Sequence, residues 1–389
     1  MKKKYIIFLI ITLVLLVVLI TSFNYFKTTN TYIDDSVNNQ TKITKGISMN
    51  LEQTAGAGDY KTVTRSSWPT EGYKFNTELS RCENGGEINW DDINKKVIVT
   101  GNVSDKCYVY FDIWIPSIAA YCTSGTDLAT CVKNFGDQGP SVSNIYIHNS
   151  ALTNGAGDNS YRYAGANPNN YVCFGSEATT CPDANLFRII GVFGDQAKVI
   201  RAKSVGDQPW HTSQVNNWSS SSLNTYLNGE YLTSLGTLAD KIATTTWKVG
   251  GGSWSNIAGS VPKTAYQYEV GSSASTTTVD KKIGLMYVSD YYYGASPSAW
   301  KLVGYNKSDA TKDYRAATST NWLYLGSTEW TISRNSGYTY LAFLVNSAGY
   351  VYYSGYVPVS LAVRPSFNLL SSVKYISGSG SMSDPVRIN

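Results

Sequence analysis

The chain has little charge, very few histidines and no cysteine after Cys181. Asp, Glu, Lys and Arg together make up 15% of the 389 residues. Histidine occurs only at His148 and His211, whose spacing does not match a zinc site, and no Cys-x-x-Cys pair occurs. No phosphate-binding, dinucleotide-binding or Gly-x-Ser-x-Gly motif is present. We therefore expect neither a metal ion nor a cofactor.

The chain also lacks a strong net charge beyond its first residues. The formal net charge is +4, and Lys2, Lys3 and Lys4 account for three of these charges, which leaves +4 − 3 = +1 for the remainder. Nucleic acids and acidic polymers are bound mainly through clustered positive charge. The near-neutral remainder therefore excludes nucleic acid as an expected partner.

One long uncharged run follows the three lysines, from Tyr5 to Phe26. At about 1.5 Å per helical residue it is long enough to cross a hydrocarbon core of roughly 30 Å. Lysines before the run favour a cytoplasmic N-terminus. We predict a single-pass membrane anchor over residues 1–26 and a polar juxtamembrane linker over 27–46, with the rest of the chain outside the cell. A cleaved signal peptide is the alternative.

Six cysteines lie in the first half of the sequence. An even number in an exported chain indicates disulfides rather than a metal or redox site. Sequential pairing closes three short loops and is the connectivity that we favour. The predicted bonds are Cys82–Cys107, Cys122–Cys131 and Cys173–Cys181.

The composition favours β-structure, with 30 tyrosines and 33 glycines. Short strand-like runs between turn signals predict a small disulfide-stapled β-sandwich over 47–115, which would serve as a spacer. Residues 116–160 are predicted to connect it to a C-terminal α+β domain over 161–389. In that domain the sequence predicts a hairpin over 186–203, a helix over 221–235, long loops over 244–280 and a strand over 283–288.

The segment 330–369 has the clearest pattern. Apolar and polar residues alternate on both sides of Asn346-Ser347-Ala348-Gly349, which predicts two strands and a tight turn. Asn346 and Gly349 are predicted to serve the turn, and Arg364 to have a structural role, held by carboxylates or carbonyl groups.

Three features of this segment resemble an uncharacterised family of bacterial surface domains. They are Trp330 with Arg334, the Val345-Asn346 pair before Gly349, and the Val363-Arg364-Pro365 ending that leads to Leu369. The resemblance covers roughly residues 160 to 389. The family's pattern is similar to the C-type-lectin and formylglycine-generating-enzyme folds, so the resemblance implies a lectin-like domain. A likeness of fold does not carry function.

Aromatic residues are concentrated in and around the predicted loops and provide the candidate binding surface. Trp and Tyr offer flat rings with a polar group, which suits both sugars and protein ligands. Three adjacent tyrosines in a strand or turn are not expected to face one core together. The full aromatic set is Trp247, Trp254, Tyr291, Tyr292, Tyr293, Trp300, Trp322, Tyr324, Trp330, Tyr338, Tyr340, Tyr352, Tyr353 and Tyr356. From these we select Tyr291, Tyr292, Tyr293, Trp322 and Trp330, together with Arg334, as candidate ligand-binding residues.

The sequence favours a binding protein over an enzyme. The calcium-binding motifs of C-type lectins are missing, and no late cysteine is available for the formylglycine-generating reaction. We predict an extracellular protein that binds a glycan or a protein without catalysis. One alternative is a cell-envelope glycan hydrolase, with Asp290 and Glu329 as its carboxylate pair. A purely structural envelope component is the other.

Overall fold

The computed structural model describes residues 46–389, apart from 55, 56, 65–67, 70, 71, 92, 93, 101–104 and 115. The predicted membrane anchor and the predicted linker up to residue 45 lie outside the described residues. None of the helices that the structure describes combines the length and the apolar character needed to cross a membrane. The chain divides into two compact units between residues 115 and 116.

Within the described residues from 46 to 114, the regular elements of the first unit are all strands. Its five-stranded sheet has the order β2-β1-β7-β3, with β4 also paired to β7, and β1 runs parallel to β7. A separate hairpin joins β5 to β6. The strands are β1 Ile47–Glu52, β2 Tyr60–Val63, β3 Tyr73–Phe75, β4 Arg81–Cys82, β5 Glu87–Asp91, β6 Lys96–Thr100 and β7 Cys107–Ile113.

Alternation along the central strands places the core of the first unit on one face of the sheet. Met49 and Leu51 of β1 and Val109 and Phe111 of β7 point to the same side and are buried. Trp90 of the hairpin meets the Phe111 ring edge-on, with 5.4 Å between the ring centroids. The hairpin and the sheet therefore share one small core.

The second unit contains a nine-stranded sheet, a five-stranded sheet and a two-stranded ribbon. The central path of the large sheet is β16-β21-β12-β11-β10-β23-β22. Strand β9 also pairs with β11, and β8 pairs with β9. The five-stranded sheet has the order β13-β20-β17-β18-β19, and β14 pairs with β15. The strands are β8 Ile145–Ile147, β9 Tyr161–Tyr163, β10 Tyr171–Cys173, β11 Leu186–Phe193, β12 Gln196–Arg201, β13 Asp207–Pro209, β14 Thr245–Lys248, β15 Thr278–Lys281, β16 Ile283–Gly284, β17 Glu329–Arg334, β18 Leu341–Val345, β19 Val351–Tyr356, β20 Ser360–Ala362, β21 Ser366–Asn368, β22 Tyr375–Ser377 and β23 Val386–Ile388.

Helices in the second unit are short. The α-helices are α1 Leu128–Gly136, α2 Pro140–Ser143, α3 Ser222–Tyr226, α4 Leu232–Ser234, α5 Pro262–Glu269 and α6 Val288–Gly294. A π-turn over Leu227–Tyr231 joins α3 to α4. The 3-10 segments are Ile118–Tyr121, Asp183–Asn185, Trp218–Ser220, Gly236–Lys241, Pro297–Ala299, Ala310–Lys312 and Tyr314–Thr320. This is a mixed α+β chain composed mostly of sheet, as the sequence predicts.

Several predicted elements are present. The predicted hairpins correspond to β11 with β12 and to β18 with β19. Ser221 caps the predicted helix, because its hydroxyl accepts the backbone N–H of Asn224. Gly229 lies in the π-turn that interrupts this helix. The three predicted disulfides are confirmed, joining Cys82 to Cys107, Cys122 to Cys131 and Cys173 to Cys181.

Two predicted elements are wrong. The segment 244–280, predicted as long loops, contains β14, α5 and β15. The segment 283–288, predicted as a strand, pairs only at Ile283 and Gly284, and α6 begins at Val288. A continuous apolar run does not by itself distinguish a buried strand from a buried helix.

Residues 116–160 pack into the second unit. Helix α1 buries Leu128, Val132 and Phe135 in the core cluster that also contains Ile189 and Val199 of the large sheet. One amphipathic face of this helix thus covers part of the sheet.

Candidate functional site

The three tyrosines predicted to form a binding surface are buried. Tyr291, Tyr292 and Tyr293 lie in α6 and are at most 1% exposed. Their hydroxyl groups donate to three separate backbone carbonyl groups, those of Gly349, Ile257 and Asn154. The three rings do not share one core, since Tyr291 and Tyr292 pack in the main cluster and Tyr293 packs in a separate one with Trp300. Their predicted exposure is wrong, because the segment is a short buried helix and not a strand or turn.

The other predicted ligand-binding residues also serve the interior. Trp322 and Trp330 are buried, and their indole N–H groups donate to the carbonyl oxygens of Tyr163 and Gln208. Arg334 is partly buried and donates to the carbonyl oxygen of Gly250. These residues are held in the fold by backbone contacts and do not form a common exposed surface.

The residues predicted to be structural have extensive internal contacts. Arg364 makes two hydrogen bonds to the carboxylate of Glu329, both 2.7 Å long, and a third to the carbonyl oxygen of Leu323. Asn346 accepts the N–H of Ala348 through its side chain, and Gly349 has a φ of +91°. That backbone conformation favours glycine, so both residues shape the β18–β19 turn.

A group of exposed tyrosines lies elsewhere in the second unit. Tyr338 and Tyr340 are in the loop between β17 and β18, and Tyr356 is the last residue of β19. They are 52%, 41% and 38% exposed. The ring centroids of Tyr338 and Tyr340 are 6.0 Å apart, and those of Tyr340 and Tyr356 are 6.3 Å apart. We call these three residues the tyrosine surface.

The tyrosine surface is supported from beneath by the buried residue Asn216. Its side-chain nitrogen lies within hydrogen-bond distance of the carbonyl oxygens of Asn335, Tyr338 and Leu341, at 2.8, 2.7 and 2.6 Å. The backbone N–H of Asn216 also donates to the carbonyl oxygen of Thr339. These bonds tie both ends of the β17–β18 loop to one side chain and hold the tyrosines in place.

The chain segments that carry the tyrosine surface, and the segment of Asn216 beneath it, contain no charged residue. Val215 is 48% exposed and precedes Asn216, whose backbone is hydrogen-bonded to the loop. Val359 is 46% exposed and follows Tyr356 in the chain. The segments 212–216, 336–341 and 354–360 contain no Asp, Glu, Lys or Arg. Their side chains are hydroxyl, amide, aromatic or apolar groups, which is a chemistry suited to a neutral ligand.

A second row of rings runs beside β19. Trp254, which is 44% exposed, meets Tyr353, with 5.9 Å between the ring centroids. Tyr353 contacts Tyr352, Tyr352 contacts Tyr350, and the Tyr305 ring lies 4.8 Å from the Tyr350 ring. Strand β19, at the edge of its sheet, thus carries partly exposed aromatic residues along its length as well as at its end.

The chain also contains a cavity of about 250 Å³ with a charged floor. Lys198, Asp290 and Arg162 line it, with walls formed by Phe193, Trp247 and Tyr287. The Nζ of Lys198 lies 2.5 Å from Oδ2 of Asp290, and Nη1 of Arg162 lies 3.8 Å from Oδ1 of the same carboxylate. All three charged side chains are buried.

Electrostatics in this cavity are dominated by burial and by neighbouring opposite charges. Burial lowers the pKa of Lys198, and the carboxylate of Asp290 opposes this effect. Burial also tends to lower the pKa of Arg162, but the charges of Asp158 and Asp290 outweigh this effect, so the pKa of Arg162 is raised. The charge of Arg162 overcomes the effect of burial on Asp158 and lowers the pKa of that carboxyl to about 2. The floor of the cavity is therefore a network of paired charges.

The two carboxylates suggested for hydrolysis have different partners. Asp290 is bound by Lys198 and accepts the backbone N–H of Tyr287. Glu329 is buried and is bound by Arg364 through both of its oxygens. Glu329 does not line the cavity.

One group of potential metal ligands occurs within the described residues, formed by Cys82, Asp105 and Cys107. The two cysteines are joined in a disulfide and offer no thiolate. The carboxylate of Asp105 accepts the backbone N–H groups of Asn84 and Gly86. This cluster therefore shapes a turn.

Tyr338, Tyr340 and Tyr356 belong to the predicted aromatic set but not to the candidate ligand-binding residues selected from it. The feature that indicates their exposure is the Tyr338-Thr339-Tyr340 alternation next to Gly337, because a short turn leaves its side chains without a core to enter.

Comparison with known proteins gives no match to a family model, to a curated protein or to a solved structure.

Proposed function

We propose that this protein is a membrane-anchored extracellular binding protein whose C-terminal, lectin-like unit binds a neutral glycan without turnover. The observation that supports this proposal best is the tyrosine surface, where three exposed rings meet edge to face on one supported loop and strand end. The bacterial surface-domain family and the location outside the cell are part of the proposal and rest on the sequence patterns alone.

The chemistry of the tyrosine surface favours a sugar. A tyrosine ring offers an apolar face to the C–H groups of a sugar ring, and its hydroxyl group exchanges hydrogen bonds with sugar hydroxyls. The segments that carry Tyr338, Tyr340 and Tyr356 contain no charged residue, so a neutral ligand that covers them desolvates no charge of these segments. Asn216 orders the loop before binding, which reduces the entropy cost of association.

A protein ligand is the main competing occupant, because exposed tyrosines also occur in protein-binding surfaces. For the hydrolase alternative, the enclosure of Glu329 by Arg364 leaves one of the two suggested carboxylates without access to a substrate. A structural envelope component would have no ligand for this surface.

The test is a binding screen of the full chain, solubilised in detergent with its disulfides formed, against neutral and acidic cell-wall and host glycans. We expect saturable binding of a neutral glycan. The Kd of this binding should rise about tenfold in Tyr340→Ala, the equivalent of ~1.4 kcal/mol. Tyr268→Ala is the matched control, since Tyr268 is also exposed but lies in α5. A chelator should leave the affinity unchanged.

Three outcomes contradict the proposal. Equal affinity of Tyr340→Ala and the unaltered protein places the ligand elsewhere. Loss of binding with chelator shows a metal-dependent mode. No binding to any glycan by a folded, disulfide-bonded sample favours a protein ligand or a structural role.

A further inference from the structure

The closest contact between a lysine and a carboxylate in the second unit is buried inside the fold. Lys198 is in β12 and Asp290 is in α6, 92 positions further along the chain, and Nζ lies 2.5 Å from Oδ2. The two side chains are only 6% and 3% exposed. The ammonium group is surrounded by the rings of Tyr287, Trp247 and Phe193, with centroids 4.8, 5.4 and 5.6 Å away.

We propose that Lys198 and Asp290 condense to form an amide, an intramolecular isopeptide bond that links β12 covalently to α6. This modification is independent of the proposed glycan binding and uses none of the residues of the tyrosine surface. The condensation releases only water, so the reaction needs no oxidant, reductant or further reactant.

Burial is the reason that this pair can react when a lysine and an aspartate in water do not. An ionised pair loses its hydration in a low-dielectric interior, which favours transfer of the proton from nitrogen to oxygen. The pKa of Lys198 is lowered by burial, in agreement with a weakened hold on its proton. Once neutral, the amine is a nucleophile held against its target, and such positioning replaces a bimolecular encounter with an intramolecular step.

The atoms balance in a simple sequence. The ammonium of Lys198 passes one proton to Oδ2 of Asp290, which gives a neutral amine and a neutral carboxylic acid. The nitrogen lone pair then forms a bond to the carboxyl carbon, and the C–O π pair moves onto Oδ1. A second nitrogen proton passes to Oδ2, the bond between the carboxyl carbon and Oδ2 breaks, and Oδ2 leaves as water. The C=O bond to Oδ1 re-forms to give the amide.

Two features of the site assist these steps. Nη1 of Arg162 lies 3.8 Å from Oδ1, so its positive charge faces the oxygen that becomes negative in the intermediate. Arg162 is itself fixed by a 2.6 Å bond to Asp158. Lys198 and Asp290 both line the cavity of about 250 Å³, which gives the released water a space to enter.

The chain contains its own controls. Lys203 lies 2.6 Å from Asp183, and Lys374 lies 2.6 Å from Asp127, but these side chains are well exposed: 59% and 62% in the first pair and 37% and 43% in the second. Water hydrates both exposed pairs in their ionised forms, so they should remain ion pairs. The three contacts have nearly the same length and differ in burial.

The deciding experiment is mass spectrometry of the full chain after reduction of its disulfides and denaturation. We expect an intact mass lower than the sequence mass by one water molecule. Trypsin should fail to cut after Lys198 and should release one branched peptide that contains both Lys198 and Asp290, whereas it should cut after Lys203 and Lys374. Lys198→Arg should have the full sequence mass, because a guanidinium remains protonated and does not attack.

The proposal is overturned if the unaltered protein has the full sequence mass and is cut after Lys198 as readily as after Lys203. That result would mean a permanent ion pair stabilised by the surrounding rings. It is also overturned if the mass loss persists in both Lys198→Arg and Asp290→Ala, since another pair would then carry the bond. Because the measurement on the unaltered chain is decisive alone, poor folding of a variant does not affect it.

Discussion

Arg364 and Glu329 form a buried two-point ion pair that joins the region after β20 to the first residue of β17. The Nε–Oε2 and Nη2–Oε1 distances are both 2.7 Å, and the side chains are 3% and 1% exposed. Burial raises the pKa of Glu329, and the charge of Arg364 opposes this effect. Each charge is acceptable in the interior only while the other is present.

Removing one member of this pair should therefore destabilise the second unit strongly. We expect Arg364→Ala to lower the free energy of unfolding by about 3–5 kcal/mol, since Glu329 would be left buried and unpaired. Urea unfolding followed by tryptophan fluorescence measures the change. Lys203→Ala, which removes an exposed pair with Asp183, should change stability by less than about 1 kcal/mol. Similar unfolding midpoints for the two variants would contradict the argument.

His148 should make stability depend on pH. Burial lowers its pKa to about 2, and the charge of Arg162 adds to this effect. Below pH 6.5, the ordinary value, the unfolded chain takes up a proton that the folded protein does not. The free energy of unfolding should then fall with falling pH by up to about 1.4 kcal/mol per pH unit.

The measurement is urea unfolding at several pH values between 7 and 5 for the unaltered chain and for His148→Asn. Asparagine retains an acceptor for the Ala156 N–H that His148 binds through Nδ1. The difference in slope between the two proteins isolates His148, because the opposing contributions of Glu269 and Glu329, whose pKa values burial raises, are present in both. Parallel curves would show that His148 does not cause the dependence.

Gly251 should tolerate no side chain. Its φ is +61°, and a Cβ atom would lie 2.0 Å from the carbonyl oxygen of Arg334. Gly236 has a similar φ of +57° but nothing within 4 Å of an added Cβ. We expect Gly251→Ala to lower the thermal midpoint several degrees more than Gly236→Ala, because only the first substitution adds a backbone clash to the conformational strain. Equal midpoints would show that the Arg334 backbone moves freely.

Asn216 should control the order of the tyrosine surface. Asn216→Ala removes the side-chain donor of the Asn335 carbonyl group and leaves the Leu341 carbonyl group with only the N–H of Asn335, which costs about 1–3 kcal/mol. Amide hydrogen exchange in residues 336–341 should become faster, and the affinity for the neutral glycan should fall. Asn228→Ala is the control, because that side chain also donates to backbone carbonyls but serves α3 and β16. Unchanged exchange in 336–341 would contradict this role.

Local sequence patterns predicted the parts of the fold that local chemistry determines. The turn at Asn346–Gly349 follows from a side chain that bonds its own backbone and from a glycine with positive φ. Ser221 was recognisable as a helix cap, and the three disulfides close loops of short sequence separation. In each case the interacting groups are near one another in the chain.

The remaining features depend on contacts between distant residues. Whether Tyr292 is exposed depends on Ile257, Gly304 and Tyr314, which close around it from other segments. The pairing of Lys198 with Asp290 spans 92 positions and has no local pattern. Helix α5 is not predicted although Pro262 at its first position is a helix-start feature, because the glycine- and serine-rich flanks indicate a loop.

The arrangement of strands in the first unit determines how it responds to a pulling force. Strand β1 and strand β7 are adjacent and parallel, with Ile47 opposite Cys107 and Leu51 opposite Phe111. Hydrogen bonds between parallel strands are evenly spaced along the pair. A force that draws Ile47 and Ile113 apart must slide one strand along the other, so all of these bonds share the load at once instead of opening in succession. The parallel pairing of β1 with β7 therefore resists a stretch applied between Ile47 and Ile113.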